Sequence, residues 1–376
     1  MGRRGELRRR CGAVLVAVAA VAGACSSPGG QAASGRHGPA PGAASAVGAD
    51  HDCIVAGAAR PVVDWSQLHN PVLSSPVAGE KDPVMVWDAG SWHLVFSYLR
   101  LDPSVPGGVD WDIATSSSPD LVTWSPPAPW PAQPGTLGVA GPQLVRAPGG
   151  EFVVTYQSDP GETSGAQDRL YYRTTTDFVT WSAPRPLAHS LAPAPGDRMI
   201  DGSLAWTGHG LILGYKAGAD GARQAFEIAW SPDGSLAGPW RLVGKPDIVV
   251  TGDTVERYEF LDVAGSWHLM ATSNQFDHPW LFRLVGDPAT PSGWLRWTTG
   301  HELVVPAAAW DSGPGISGVN YERANAAFLC NATADDGYYY LVYAGSSELT
   351  AFGGWGHAEL GIARSRNLVD WQLPPG

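Results

Sequence analysis

DLVTW, at residues 120–124, recurs as DFVTW at 177–181 and in a related form as NLVDW at 367–371. Two further runs, GPW and GWLRW, end at Trp240 and Trp297. The five tryptophans are separated by 57, 59, 57 and 74 residues, and each interval is close to the length of one supersecondary unit. The chain is therefore predicted to consist of five repeats.

A more apolar stretch precedes each tryptophan and has the pattern of two strands joined by a Gly-bearing turn. These stretches are 84–98, 143–157, 203–217, 259–273 and 326–346. The hexapeptide AGSWHL occurs in two of them, at 89–94 and 264–269. A hairpin followed by two less regular strands is the four-stranded blade of a propeller. We therefore expect an all-β, single-domain, five-bladed β-propeller; a β-sandwich or β-helix is the alternative, although neither favours such even units.

The N-terminal region has the pattern of an export signal followed by a tether. Residues 1–24 combine several arginines with an apolar run too short for a permanent membrane anchor. The run ends in small residues before Cys25, which resembles the lipobox at which a bacterial lipoprotein is cleaved and acylated; an ordinary signal peptide is the alternative. Residues 25–52 are rich in Gly, Ser, Ala and Pro, and we expect a flexible tether. The propeller is assigned to 53–376.

The ends of the chain also predict where the protein works. An extracellular or cell-surface protein, held to the bacterial membrane only through a lipid on Cys25, is the expected product. Outside the cytoplasm, Cys53 and Cys330 are expected to pair, since a closed ring would bring the two together. Two buried free thiols are the alternative.

Charge and aromatic content narrow the class of ligand. The formal net charge of −12 disfavours nucleic acid as a partner, because its phosphates would be repelled. The chain has 17 Trp and 11 Tyr, and aromatic side chains suit a neutral ligand with apolar faces, of which sugars are the commonest. The five repeated tryptophans are assigned to packing within the blades. We expect a monomer.

Three acidic residues occur at corresponding places before the predicted innermost strands. They are Asp82, Asp201 and Glu256 in the first, third and fourth units, while Pro142 and Ala324 take these places in the second and fifth. Innermost strands border the central channel, so all three carboxylates are expected to face one axial pocket. Hydrolysis of a glycosidic bond needs one carboxyl group to protonate the leaving oxygen and another to activate water, and a third can raise the pKa of the acid.

Local motifs resemble the five-bladed glycosidases of families 43 and 62, which include arabinofuranosidases, arabinanases and xylosidases. Lys81-Asp82 with HLVFSY downstream is similar to a family 62 pattern, as are TYQ at 155–157 and YYRTTTDFVTWSAPRPL at 171–187. The stretch 200–204 and the region after Glu256 fit further motifs. The resemblance covers roughly residues 53–376.

The resemblance implies a role for each acid. Asp82 would be the general base, Asp201 would tune the acid and orient the substrate, and Glu256 would be the general acid. The families invert configuration, which implies carboxyl groups about 6.5–9.5 Å apart. The pair Cys53 and Cys330 resembles the terminal disulfide of family 62.

The sequence departs from these families at two places. Arg257 replaces the glycine expected after the general acid, and Glu259 is a rival for the acid role. No cofactor is expected to be required. An axial calcium ion would need a histidine of the fifth blade, but 315–325 contains none, and His357 is the substitute.

Other polar and aromatic residues near the presumed inner strands are candidates for binding sugar hydroxyls. They are Lys81, Trp111, Tyr156, Gln157, Gln275, Tyr321 and Arg323.

The sequence thus predicts an exported glycoside hydrolase that cleaves arabinofuranosyl or related pentosyl linkages of a polysaccharide such as arabinoxylan or arabinan. A β-xylosidase or an endo-arabinanase of the same fold is one alternative. A non-catalytic carbohydrate-binding lipoprotein is the other, and it would be expected to lack at least one of the three acids.

Overall fold

The computed structural model describes most of the chain from residue 53 onward. The described ranges are 53–55, 61–105, 108–159, 168–191, 197–219, 225–248, 250, 255–273, 278–311, 324–346 and 359–375. The expected signal (1–24), the tether (25–52) and Cys25 lie outside them. Among the described residues, no helix has the length and apolar character needed to cross a membrane.

The strands form five antiparallel sheets of four strands, each in chain order. The first sheet consists of β1 (Ala78–Asp88), β2 (Ser91–Leu101), β3 (Val109–Ser118) and β4 (Ala128–Pro129). The second consists of β5 (Gly138–Arg146), β6 (Phe152–Asp159), β7 (Arg169–Thr175) and β8 (Arg185–Pro186). The third consists of β9 (Asp197–Trp206), β10 (Leu211–Ala219), β11 (Ala225–Ser231) and β12 (Arg241–Gly244).

The last two sheets follow the same plan. The fourth consists of β13 (Val255–Val263), β14 (Ser266–Ser273), β15 (Pro279–Arg283) and β16 (His301–Glu302). The fifth consists of β17 (Asn325–Ala332), β18 (Tyr338–Gly345), β19 (Glu359–Ser365) and β20 (Trp371–Gln372). Short 3₁₀ helices occupy Trp65–Gln67, His189–Leu191, Pro291–Leu295 and Ala309–Asp311.

The first strands of the five sheets line the axis of a closed ring. Each of β1, β5, β9 and β13 contacts the first strand of the next sheet, and β17 contacts β1. The predicted five-bladed propeller is confirmed. The largest apolar cluster joins the first blade to the second and fifth through side chains such as Trp92, Tyr156 and Phe328.

The repeated pentapeptide forms the turn between the third and fourth strands of a blade. In the first blade, the Oδ1 atom of Asp120 accepts hydrogen bonds from the backbone N–H groups of Val122 and Thr123, at 2.9 and 2.8 Å. Asp177 and Asn367 accept the equivalent pair in the second and fifth blades. The recurrence of Asp or Asn therefore reflects the turn, which a short polar side chain stabilises.

The apolar residue of this turn is buried and adopts a left-handed conformation. Leu121, Phe178 and Leu368 have φ values of 65°, 57° and 62°. The indole Nε1 of Trp124 donates to the carbonyl of Leu121 at 3.0 Å, which holds the tryptophan over the turn. The repeated tryptophans thus act in packing, as the sequence predicted.

The ring closes where the start of the described chain meets the fifth blade. Cys53 forms a disulfide with Cys330 of β17, with 5.1 Å between their Cα atoms. The backbone N–H of Trp87 donates to the Cys53 carbonyl at 2.6 Å, which fixes the same segment to β1. Leu73 pairs with Leu360 and so adds a further bridge to β19. The expected disulfide is present and joins the first blade to the last.

We predict that loss of the Cys53–Cys330 disulfide destabilises the ring. The bridge closes a loop with a sequence separation of 277 residues, so its removal should lower the free energy of unfolding by about 5 kcal/mol. Denaturant unfolding of the wild type, with and without dithiothreitol, measures this change. The Cys53→Ser/Cys330→Ser variant should match the reduced wild type and be insensitive to dithiothreitol. An unfolding midpoint that the reductant leaves unchanged would contradict the prediction.

Candidate active site

Every innermost strand is interrupted by a bulge at the same level of the ring. The register between first and second strands shifts after Lys81, Ala140, Ile200, Glu256 and Asn325. The bulge lies inside the strand, since β1 begins four residues before Asp82. Our expectation that the acids immediately precede the inner strands was therefore wrong. A bulge re-aims side chains locally, which allows a residue within the strand to face the axis.

The bulge also corrects the alignment of the blades. The residue after the register shift is in the left-handed conformation in each case: Asp82, Gly141, Asp201, Arg257 and Ala326, with φ from 46° to 64°. Arg257, and not Glu256, is thus equivalent to Asp82 and Asp201. Glu256 lies one position earlier, equivalent to Lys81. Spacing in sequence could not show this offset of one residue. The sequence predicted regular strands, and the position of a bulge is seen only in the pairing between strands.

The three acids nevertheless line one pocket. Its volume is about 330 Å³, and it is lined by residues of the first four blades and by Ala326 of the fifth. Asp82, Asp201 and Glu256 contribute its carboxyl groups together with Asp168, while Lys81, Arg198, Lys216 and Arg257 contribute cationic groups. Such a pocket is large enough for a sugar unit and presents both acids and hydrogen-bond donors.

Asp82 is held by a hydroxyl group of the adjacent strand. Ser97 Oγ donates to Asp82 Oδ2 at 2.6 Å and accepts from the backbone N–H of Gly141 at 2.9 Å. The Nε atom of Arg257 lies 3.6 Å from Asp82 Oδ1. Oδ2 is thus held by a hydrogen bond within the ring, and Oδ1 lies beside a buried cation.

Glu256 is paired with a buried lysine of the preceding blade. Lys216 Nζ donates to Glu256 Oε2 at 2.8 Å, and the lysine side chain is almost completely buried. Burial tends to lower the pKa of Lys216, but the carboxylates of Glu256 and Asp201 outweigh this effect, and the pKa is raised. Lys216 therefore remains a cation that fixes the Glu256 carboxylate at the pocket.

Asp201 is the carboxyl group most strongly perturbed by the pocket. It is 7% exposed, and its backbone N–H donates to Gln157 Oε1 at 3.0 Å. Burial raises the pKa of Asp201 from 3.8 to about 6, and the charges of Glu256 and Asp82 add to this effect. Lys216 and Arg257 oppose it. A carboxyl group of this kind can retain a proton at mildly acidic pH.

The second strands of the first three blades each present one side chain to this site. Ser97, Gln157 and Lys216 pair in the ladders with Lys81, Ala140 and Ile200, the residues immediately before the bulges. Each of the three also contacts the bulge of the next blade: Gly141, Asp201 and Glu256 respectively. Sequence analysis identified Gln157 but missed Ser97 and Lys216. Their equivalence to Gln157 within the hairpin was the signal that could have found them.

Two further charged residues at the pocket were not anticipated. Arg198 Nε donates to Asp168 Oδ2, and both residues line the pocket beside Trp111. They lie at the start of β9 and just before β7, where no motif marks them.

The structure separates the expected substrate-binding residues into three groups. Lys81, Trp111 and Gln157 line the pocket. Gln275, Tyr321 and Arg323 lie outside the described residues. The assignment of Tyr156 was wrong: it is fully buried, and its hydroxyl donates to Gln133 Oε1 at 2.6 Å.

Tyr156 is turned away from the pocket because it lies opposite the bulge of its blade. The pairing of β5 with β6 passes from Ala140–Gln157 to Gln143–Thr155 and leaves Tyr156 without a partner residue on β5. Phe96 and Tyr215 occupy the same place in the first and third blades and are equally buried. An aromatic ring at this place therefore fills the blade.

Glu259, the rival acid, does not line the pocket. It is on the far side of the bulge, where its Oε2 atom accepts from the backbone N–H of Leu329 at 2.8 Å. A separate, smaller cavity near Cys53 and Met85 includes it. Burial raises the pKa of Glu259 to about 8. Of the two glutamates, Glu256 is the one that reaches the pocket.

The calcium expectation falls on residues that the structure does not describe. Both His357 and most of 315–325 are outside the described ranges. Within those ranges, no three His, Cys, Asp or Glu side chains form a group suited to a metal ion. Calcium stays a prediction, and no chemical step below depends on it.

Solved structures of glycoside hydrolases are similar in fold to this chain. The structure is similar to a glycoside hydrolase with a TM-score of 0.57 and 12% identity, covering 88% of this chain and 95% of that chain. An α-L-arabinofuranosidase from Lactobacillus brevis gives a TM-score of 0.55 at 13% identity, with 84% and 98% covered. The chain shares the fold of glycoside hydrolases.

A third similar structure is an α-L-arabinofuranosidase from Podospora anserina in complex with cellotriose, with a TM-score of 0.53, 14% identity, and 84% and 95% covered. No model of a known protein family matches the sequence, and no curated protein is similar to it in sequence. The expected likeness to five-bladed glycoside hydrolases is confirmed at the level of the fold.

We predict that Asp201→Asn stabilises the protein in a pH-dependent manner. Because the pKa of Asp201 is raised in the folded state, its contribution to stability is complete below about pH 4 and is lost as the pH rises to about 6. Asparagine does not ionise, so the variant does not lose stability in this way. The free energy of unfolding of the variant minus that of wild type should therefore increase between pH 4 and pH 7 by up to about 3 kcal/mol. Urea unfolding at pH 4, 5, 6 and 7 measures the difference.

The matched control is Glu151→Gln, which changes an exposed carboxyl group that does not line the pocket. A rise of the same size for this variant would show that the effect is not specific to Asp201. A difference for Asp201→Asn that is constant across the four pH values would contradict the prediction.

Proposed function

We propose that the protein is an exported glycoside hydrolase that removes pentosyl units, arabinofuranosyl units above all, from a polysaccharide such as arabinoxylan or arabinan. The observation that supports this most strongly is the convergence of Asp82, Asp201 and Glu256, from three different blades, on one sugar-sized pocket. The fold shared with glycoside hydrolases supports it independently.

The chemistry follows from the placement of the three carboxyl groups. Asp82 accepts a proton from a water molecule as the water oxygen bonds to the anomeric carbon. Glu256, carrying the one proton that the Asp201–Glu256 pair retains, donates it to the glycosidic oxygen as the bond from that oxygen to the anomeric carbon breaks. The anomeric configuration is thereby inverted. Ser97 and Lys216 hold the two groups in place.

Asp201 has a different part in this proposal. Its carboxyl group is buried beside Glu256, and repulsion between two carboxylates favours retention of one proton by the pair. Its ionised form can accept a hydrogen bond from a sugar hydroxyl. Asp201 therefore orients the substrate and supports proton delivery by Glu256.

The features of the pocket rim favour a small neutral sugar. Trp111 offers an aromatic face, and the cations at the pocket lie close to carboxylates, as in the Arg198–Asp168 and Lys216–Glu256 pairs. A pocket balanced in this way does not select for a charged ligand. Attachment to the bacterial cell surface through Cys25, and action as a monomer, belong to the same proposal.

The test is release of pentose from aryl arabinofuranosides, aryl xylosides, arabinan and arabinoxylan. Wild type should act on at least one arabinofuranosyl substrate, and Asp82→Asn and Glu256→Gln should each reduce kcat by at least about 10²-fold because each removes a proton-transfer group. Glu151→Gln, at the exposed surface, should retain wild-type activity and serves as the control.

Two outcomes would overturn the proposal. Activity confined to xylosides or to internal arabinan linkages would favour a β-xylosidase or an endo-arabinanase. Saturable sugar binding without turnover, unaffected by either active-site substitution, would favour a carbohydrate-binding lipoprotein.

A further inference from the structure

Arg257 occupies a place in the ring where a side chain is unfavourable for the backbone. Its φ is 57°, in the left-handed region, and the equivalent residue of the second blade is Gly141. Most side chains cost on the order of 1 kcal/mol in this conformation. The families that the sequence resembles have glycine after the acid. A long cationic side chain at this position therefore calls for a compensating interaction.

The guanidinium group supplies that interaction by crossing from the fourth blade to the first. Nη2 of Arg257 donates to the backbone carbonyls of Asp82 and Pro83, at 2.8 and 3.3 Å. The ladder between β1 and β2 leaves these two residues unpaired, because its register passes from Lys81 to Val84. Arg257 thus provides the hydrogen-bond donor that the bulge of the first blade lacks.

The same group lies beside the carboxylate of Asp82. Nε is 3.6 Å from Asp82 Oδ1, and the arginine is 2% exposed. Burial lowers the pKa of Arg257, and the carboxyl groups of Asp82, Asp201, Glu259 and Glu256 oppose this effect. Nε and Nη1 are buried and make no hydrogen bond to the described residues, so the carboxylates act on Arg257 through charge, and Nη2 alone fixes the guanidinium group by hydrogen bonds. Removal of either partner of such a pair leaves an uncompensated buried charge.

We propose that Arg257 is a positioning residue that fixes the Asp82 carboxylate, and with it the separation of Asp82 from Glu256, by bonding to the bulge of the first blade. The inference rests on the hydrolase function proposed above. Arg257 and Glu256 are consecutive in the chain, so one short segment carries one reacting carboxyl group and holds the other. Arg257 acts through Asp82, because its side chain is 2% exposed and its Nη2 donates to the carbonyls of Asp82 and Pro83.

Two substitutions separate positioning from a general structural role. Arg257→Gly removes the guanidinium group and relieves the left-handed backbone, so it should fold. Arg257→Lys keeps a cation but replaces the planar guanidinium group by a compact ammonium group, which lacks the spread of donors between the two carbonyls and the carboxylate. Ala264→Gly is the control for a glycine introduced at a left-handed residue: Ala264 has φ 54° in the β13–β14 turn, away from the pocket.

The kinetic readout is the division of the effect between kcat and KM. A displaced base lowers the rate of the chemical step and leaves substrate binding almost intact, so Arg257→Gly should reduce kcat by about 10²-fold and change KM by less than about threefold. Arg257→Lys should recover part of the loss, and Ala264→Gly should show none. A kcat for Arg257→Gly within about twofold of wild type would overturn the inference.

The structural readout is independent of activity. Crystal structures of wild type and Arg257→Lys should show that the Asp82 carboxylate has left Ser97 Oγ in the variant. An unchanged Asp82 would overturn the inference even if kcat had fallen. If wild type releases no sugar, the hydrolase proposal fails, and the crystal structures alone decide whether Arg257 positions Asp82.

Discussion

Closure of the ring is the constraint on which the rest of the structure depends. The Cys53–Cys330 disulfide and the pairing of Leu73 with Leu360 join the first blade to the last. A closed ring of five sheets forces five inner strands to surround one axis. Groups that are distant in sequence then become neighbours, and the contact between Arg257 and Asp82, 175 residues apart, is one result.

Within the ring, contacts between successive blades place the functional groups. Ser97 of the first blade contacts the bulge of the second blade, and Gln157 of the second blade contacts the bulge of the third. Lys216 of the third blade contacts Glu256 of the fourth. Each of the first three blades thus helps to build the part of the site that the next blade carries. Such a site is rigid, since moving one carboxyl group requires moving a strand of the adjacent blade. Rigid placement of acids and donors is the property that hydrolysis of a glycosidic bond requires.

The features that recur in every repeat, such as the number of blades, were predicted correctly from the sequence. The alignment of single residues between blades was predicted wrongly where a bulge shifts it by one position. The recurring tryptophans predicted five blades because the first four are 57 to 59 residues apart and because three of the five turns use the same Asp or Asn and a buried apolar residue. Asp82 and Asp201 were found because they occupy corresponding places in two of the repeats. Glu256 was aligned with them although Arg257 is their equivalent, because the position of a bulge is a property of strand pairing. The equivalent bulge of the second blade buries Tyr156, and the hairpin register that places the buried Lys216 at the pocket went unrecognised.

In the proposed reaction, the carboxyl groups of Asp82 and Glu256, on different blades, act on opposite sides of one glycosidic bond. The most direct measurement is ¹H NMR of the anomer that appears first when wild type cleaves an aryl α-L-arabinofuranoside. Because water enters on the face opposite the leaving group, we predict that the β-anomer forms first and then mutarotates. First appearance of the α-anomer, or no release of sugar from this substrate, would contradict it.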